Sequence, residues 1–242
     1  MSGSGDPQAG GFCVLPVTGL PDVHLRDDLA ALIASHARLC DGDVVVVASK
    51  VVSKAEGSVR DLRTVQASDD AVRCGESANL DPRWVQVALD EAREVLRLLP
   101  VLVTASRHGF VGTFTGVDRT GAPDEHSVVL LPEGCDRSAE ALRARLLTLT
   151  GRSVGVIVSD TVHRPWRRGG TNVALGAAGM AVLRPNGHGD PSAVADELAG
   201  VAELLMDRTA GIPVVIIRGW RCDAPHGNGQ DLVRPLANEL FR

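Results

Sequence analysis

No stretch of this 242-residue chain approaches the ~18 consecutive apolar residues that a membrane-spanning helix needs. The opening MSGSGDPQAGG has neither the basic segment nor the apolar segment of a secretory signal. We therefore expect a cytoplasmic protein without a membrane partner, in which residues 1–11 are a loose polar leader and 12–242 form one domain. An excess of positive charge is also missing, since the net charge is −5 and the pI about 5.8. That argues against nucleic acid as a partner and requires any anion site to be local. The five cysteines, Cys13, Cys40, Cys74, Cys135 and Cys222, stand far apart and form no C-x-x-C pair. A zinc site and a disulfide framework both need closer or paired spacing, so reduced thiols used mainly as small core residues are expected. Neither G-x-x-x-x-G-K-[ST] nor a kinase signature occurs, and a nucleotide site would be of neither common kind.

What is present is ordinary globular material, 44% hydrophobic and 23% charged, with no linker and no repeat. GDVVVVAS (42–49), SVVLLP (127–132), SVGVIVSD (153–160) and GIPVVIIRG (211–219) are short apolar runs that do not alternate. They predict strands covered on both faces. DDLAALIASHARLC, with Leu29, Leu32, Ile33, His36 and Leu39 at i, i+3, i+4 spacing, predicts a helix capped by Asp27 or Asp28. Similar periodicity predicts a helix from Pro82 to Leu99, with Trp84, Val87, Ala88, Glu91 and Val95 near one face. A third follows from CDRSAEALRARLLTLTG, capped by Asp136 or Ser138 and ended by Gly151, and a fourth from SAVADELAGVAELLMDR. VLVTAS and FVGTFTGVD read as extended, and HGNGQDLVRPLANELFR as a short closing helix or two.

Several polar features share one theme. Thr18-Gly19-Leu20-Pro21 is a tight turn that can offer backbone N–H groups to phosphate, and equally an ordinary turn. SKVVSK presents Ser49, Lys50, Ser53 and Lys54 at what reads as a strand end, either for phosphate or for solvent. Asp118, and Asp160 with Thr161, stand at the mouths of β-runs, where they can bind a hard divalent cation or simply form turns. Behind Asp160 the stretch VHRPWRRGG gathers Arg164, Arg167 and Arg168 in an acidic chain. Acids for a metal, lysines for phosphate and arginines for a second anion fit one phosphoryl-transfer centre.

Taken together, PVTGLPDV, GDVVVVASKVVSKAEG, LDEAREVLR, RHGFVG, GVDR, VIVSDT with RPWRRGGTNVALGAAG, AVADELAGVAELLM, GIPVVIIRG and LVRPLANELFR resemble the coenzyme F-420-0:L-glutamate ligase family over nearly the whole chain. The resemblance implies an α+β protein with mixed β-sheets and flanking helices in two intertwined subdomains, without a fused flavin domain, working as a homodimer. It implies a ligase that uses GTP and Mg²⁺ or Mn²⁺, with K⁺ as an optional addition, to join L-glutamate in γ-linkage to the deazaflavin F-420 precursor through an acyl phosphate. Two alternatives stay open: a related ligase redirected to another carboxylate and amine, and a non-catalytic paralogue that binds nucleotide or deazaflavin.

By position, the resemblance gives Thr18, Gly19, Leu20 and Pro21 to the nucleotide, with Ser49 and Lys54 on its phosphates. Thr120 and the segment Met206, Asp207, Arg208, Thr209, Ala210, Gly211 and Ile212 complete the nucleotide set. Asp118, Asp160 and Thr161 fall on the metal ligands, and Arg164, Arg167 and Lys54 are the catalytic candidates for anionic substrate or phosphate. The chain departs from the family pattern in the shortened MAVLRPNGHGDPS, at Val162-His163, and at Asp207-Arg208. The shortened segment bears on substrate identity more than on nucleotide chemistry.

Overall fold

The computed structural model describes residues 11–164, 167–187, 189–207, 209–235 and 238. Along the chain run β1 (Cys13–Pro16), α1 (Leu29–His36), β2 (Val44–Ala48), α2 (Ser49–Glu56), β3 (Val59–Asp61), α3 (Asp69–Ala78) and α4 (Pro82–Glu91). They are followed by β4 (Ala92–Arg97), β5 (Val103–Ser106), β6 (Val111–Thr113), β7 (Ser127–Val129), α5 (Cys135–Thr150), β8 (Gly155–His163), β9 (Gly170–Ala178), α6 (Val194–Glu203) and β10 (Val214–Arg218). Among the described residues, six α-helices with three separate sheets make the α+β class that was expected.

The main sheet has the order β1-β10-β2-β8-β9, in which only β2 and β8 run parallel. Its β-branched runs are covered on both sides because residues of a strand alternate between faces. Val45 and Val47 of β2, Val156 and Val158 of β8 and Ile216 of β10 meet Ile33 of α1 and Leu142 and Leu146 of α5 on one face. Val44, Val46, Ile157, Val215 and Ile217 meet Ala195, Leu198, Ala199 and Ala202 of α6 on the other. Asp28 is the cap of α1, accepting from the Ala31 N–H at 3.0 Å. α5 ends as expected on Gly151, in the left-handed conformation that suits glycine. Neither Asp136 nor Ser138 caps its start, which falls at Gly134; Asp136 instead accepts from the N–H groups of Ala177 and Gly229.

A third core lies apart from these two, built on Leu62, Ala71, Cys74, Val85, Val87, Ala88, Leu102, Val117 and Val128. It packs α3 and α4 against the β3–β7 ribbon and the sheet β4-β5-β6. Here one expectation fails. The helix begun at Pro82 stops at Glu91, and Ala92–Arg97 becomes an edge strand on β5. Pairing with β5 outweighs the weak helical preference of this segment, and Val95, left 46% exposed, is not the buried stripe residue that its spacing suggested. Glu91 is held at the junction by Arg107 at 2.7 Å.

A second correction concerns SKVVSK, which is not a strand end but the first six residues of α2. A third concerns SVGVIVSD: β8 does not end at Asp160 but continues to His163, paired with β9. No helix among the described residues is long and apolar enough to cross a membrane.

Candidate functional site

β2 and β8 pair residue for residue from Val44–Gly155 to Ala48–Ser159. At that point β2 turns directly into α2, whereas β8 runs on paired with β9. Asp160 is thus the first β8 residue beyond the β2 ladder, and the divergence opens a cleft at the carboxyl ends of two parallel strands. Such divergences are where open α/β sheets bind ligands.

The cleft encloses about 320 Å³. Leu20, Pro21, Lys54, Thr120, Asp160, Thr161, Met206, Asp207, Gly211 and Ile212, ten of the residues expected from sequence, line it together. Ala48, Lys50, Asn172 and Glu203 share the lining. No side chain caps the first turn of α2, so the positive end of that helix is open at the edge of the cleft.

The electrostatics centre on Asp160. Burial pushes its carboxyl up to about 6, a rise to which Asp118 adds and which Lys50, the Ser49 hydroxyl and the Thr161 N–H oppose. Ser49 is itself buried, so its contact with Asp160 is an internal one. Asp118 is carried by an isolated bridge to Val129 at the foot of the third core. Its carboxyl is also pushed up by burial, but the Lys50 ammonium and the Thr120 N–H, the latter at 2.7 Å, outweigh this and hold it below the ordinary range. Two acids thus face one ammonium.

Thr161 is tied to the opposite wall. Its hydroxyl donates toward Asn172 Oδ1 at 2.9 Å and Glu203 Oε1 at 3.1 Å, and Glu203 Oε2 accepts the Asn172 N–H at 2.6 Å. The segment from Met206 to Ile212 closes as a small loop, with paired backbone bonds between Asp207 and Ile212. Asp207 Oδ1 spends itself inside that loop, accepting from the N–H groups of Thr209 and Ala210 at 2.7 and 3.1 Å. Arg208 lies outside the described residues.

Other expected residues, Ser49 and Asp118 among them, lie off the lining. Thr18 and Gly19 belong to the exposed turn that leads into Leu20, with Gly19 at φ 77°. Arg164 and Arg167 sit in the connection between β8 and β9, beyond the cleft wall, where Arg164 Nη2 approaches the Arg168 carbonyl at 3.5 Å and the buried Arg164 Nε has no partner among the described residues. Thr209 and Ala210 are at the outer edge of their loop.

The donor set suits a hard divalent cation. Among the described residues no three His, Cys, Asp or Glu side chains converge as a metal cage. Mg²⁺ does not need one, since it is commonly held by one or two carboxylates completed by waters and phosphate oxygens. Asp118, Asp160 and the Thr161 oxygen match that pattern.

The motifs mark neither Glu203 nor Asn172, and Lys50 only as one of the four polar residues of SKVVSK. A signal existed for Glu203, a lone acid in the apolar VAELLM turn that closes α6. Asn172 stands alone as a side-chain amide among the small residues of GTNVALGAAG, and nothing in its spacing marks it.

The family model described as F420-0:Gamma-glutamyl ligase matches residues 19–219, a span that includes every lining residue of the cleft. The chain belongs to this family. Among its relatives is the coenzyme F420:L-glutamate ligase of Methanocaldococcus jannaschii, 38% identical over 227 residues, covering 89% of this chain and 90% of that protein. The ligase of the same name from Methanopyrus kandleri is 39% identical, covering 96% of this chain and all of the relative. That from Archaeoglobus fulgidus is 39% identical, covering 95% and 96%. Within the ligase family match, the residue that precedes the span is Thr18, and the lining begins at Leu20.

Proposed function

We propose that the chain is a GTP- and divalent-metal-dependent ligase that adds L-glutamate, in γ-linkage, to the coenzyme F-420 precursor. The observation that carries this reading is the cleft lined by Asp160, Thr161, Lys50 and Lys54 beside the open end of α2, with Asp118 held at its margin by Lys50, in a protein 38–39% identical to relatives named coenzyme F420:L-glutamate ligase. An amide cannot form directly from a carboxylate, whose oxygen is a poor leaving group. In the proposed reaction the carboxylate oxygen of the acceptor attacks the γ-phosphorus of GTP, the bond to GDP breaks, and an acyl phosphate results. The neutral amine of glutamate then attacks the acyl carbon, releasing phosphate.

Each wall has a task in this scheme. Lys50, Lys54 and the N-terminal turn of α2 offset phosphate charge. Asp118, Asp160 and Thr161 would hold the metal, which would offset phosphate charge during the transfer. Leu20, Pro21, Met206 and Ile212 supply the apolar surface against which a nucleotide packs. Arg164 and Arg167 are assigned to an anionic substrate arriving at the β8–β9 connection, and the unpaired Arg164 Nε supports that assignment. A homodimer and K⁺ assistance belong to the same proposal.

The test is incubation of the purified protein with GTP, Mn²⁺ or Mg²⁺, L-glutamate and the F-420 precursor. A product heavier by one glutamate residue, formed with equal GDP, is expected; GTP binding without any adduct would refute the reading.

A further inference from the structure

The Thr161 hydroxyl carries one hydrogen and meets two acceptors, Asn172 Oδ1 and Glu203 Oε1. Asn172 presents its oxygen because its amide nitrogen is turned the other way, donating to Ser159 Oγ at 3.3 Å and lying 3.4 Å from Met206 Sδ. Glu203 presents a fixed oxygen because its other oxygen is clamped by the Asn172 backbone N–H, across the β8–β9 register in which Thr161 faces Asn172. With its hydrogen committed to this pair, the Thr161 oxygen keeps its lone pairs for the cleft, the orientation a cation requires. We propose that Glu203 is a positioning residue, which fixes the Thr161 hydroxyl as a donor toward α6 so that its oxygen serves as a metal ligand. The inference rests on the metal–nucleotide reading above.

The chemistry discriminates Glu from Gln. A glutamine at 203 keeps an oxygen for the Asn172 N–H, and so preserves the clamp, but turns an amide N–H₂ toward Thr161. That donor would consume a lone pair of the hydroxyl, leaving one fewer for the cleft, while Asn172 Oδ1 still accepts its hydrogen. Outer partners that orient a ligand typically change metal affinity by ~10–100-fold when replaced.

The experiment measures free Mn²⁺ by its paramagnetic resonance signal during titration of the full chain in the presence of GDP, for the wild type, Glu203→Gln, Thr161→Val and the double variant. Glu203→Gln is expected to weaken Mn²⁺ binding ~10–100-fold, as Thr161→Val does, and the double variant to be no weaker than Thr161→Val alone. A Glu203→Gln curve that overlays the wild type while Thr161→Val is weakened overturns the positioning role. So does full additivity in the double variant, which would mean that Glu203 acts independently of Thr161. Thermal melting of the metal-free variants separates a merely structural role, which would lower the midpoint without moving the Mn²⁺ curve. A wild type that takes up no Mn²⁺ overturns the metal reading itself and this inference with it.

Discussion

The Lys50 ammonium pairs with the Asp118 carboxylate at the margin of the cleft, and this contact ties α2 on the main sheet to the third core. Lys50 starts α2 on the end of β2, while Asp118 leaves the turn that follows β6. The ammonium also lowers the charge cost at Asp160. Lys50→Met should therefore destabilise the metal-free protein by about 1–2 kcal/mol at neutral pH, between the values of exposed and fully buried pairs. Urea unfolding with and without Mn²⁺ checks this. Added metal, which replaces the lost positive charge, should narrow the gap between variant and wild type.

Asp160→Ala removes a carboxylate whose negative charge costs the empty fold stability, since burial raises its proton affinity. Turnover should fall by at least ~10²-fold while the circular dichroism spectrum stays the same. Normal turnover in that variant would remove Asp160 from the metal site.

At the opposite end of β2, Arg218 grips Asp43 with both arms, Nε to Oδ1 at 2.9 Å and Nη2 to Oδ2 at 2.8 Å, and Asp43 is only 1% exposed. Breaking a buried pair from the arginine side strands a carboxylate, at a cost of about 3–5 kcal/mol. Arg218→Met should therefore be more damaging than Asp43→Asn, which leaves no buried charge. Both should keep the wild-type KM for GTP, because they lie at the far end of the sheet from the cleft. Denaturant midpoints and steady-state kinetics test the two halves of this statement.

Stability should decline in acid partly through Asp28. The Ala31 N–H that it caps, and then Arg145, whose guanidinium reaches it at 2.8 and 3.0 Å, hold its carboxyl below the ordinary range. A carboxyl whose folded value is depressed adds stability above its unfolded value near 3.9, and that contribution is lost as pH falls through the folded value. Asp28→Ala should cost about 1 kcal/mol at pH 7 and progressively less below pH 4. Equal losses at pH 7 and pH 3 would show that the cap and ion pair do not matter.

Strands β2, β8 and β10 were legible because buried β-branched runs have few other uses, α1 because its Asp28 cap and periodicity agree, and α5 from its periodicity and its Gly151 end, though not from its start. Ala92–Arg97 was not, since its residues suit a helix and only the distant β5 decides otherwise. Much of the cleft could be foreseen from motifs that resemble a family, including Leu20, Lys54, Asp160 and Met206. Glu203 showed only as a lone acid in an apolar turn, and its role stayed hidden because its partner Thr161 is 42 positions away and the meeting depends on how α6 lies on β9. Local pattern reports what a segment prefers; it does not report which side chains the packing brings within 3 Å.

The buried cores on either side of the main sheet share no residue with the core around Leu62, Cys74 and Val85. Asp160 belongs to the first body and Asp118 to the second. Proteins open in cooperative units smaller than the whole, often along such divisions. A transient opening of the smaller unit would therefore carry one half of the acid pair away while most helices and strands persist. On gentle warming, catalysis should fade before ellipticity does, and the site would act as an early indicator of partial unfolding.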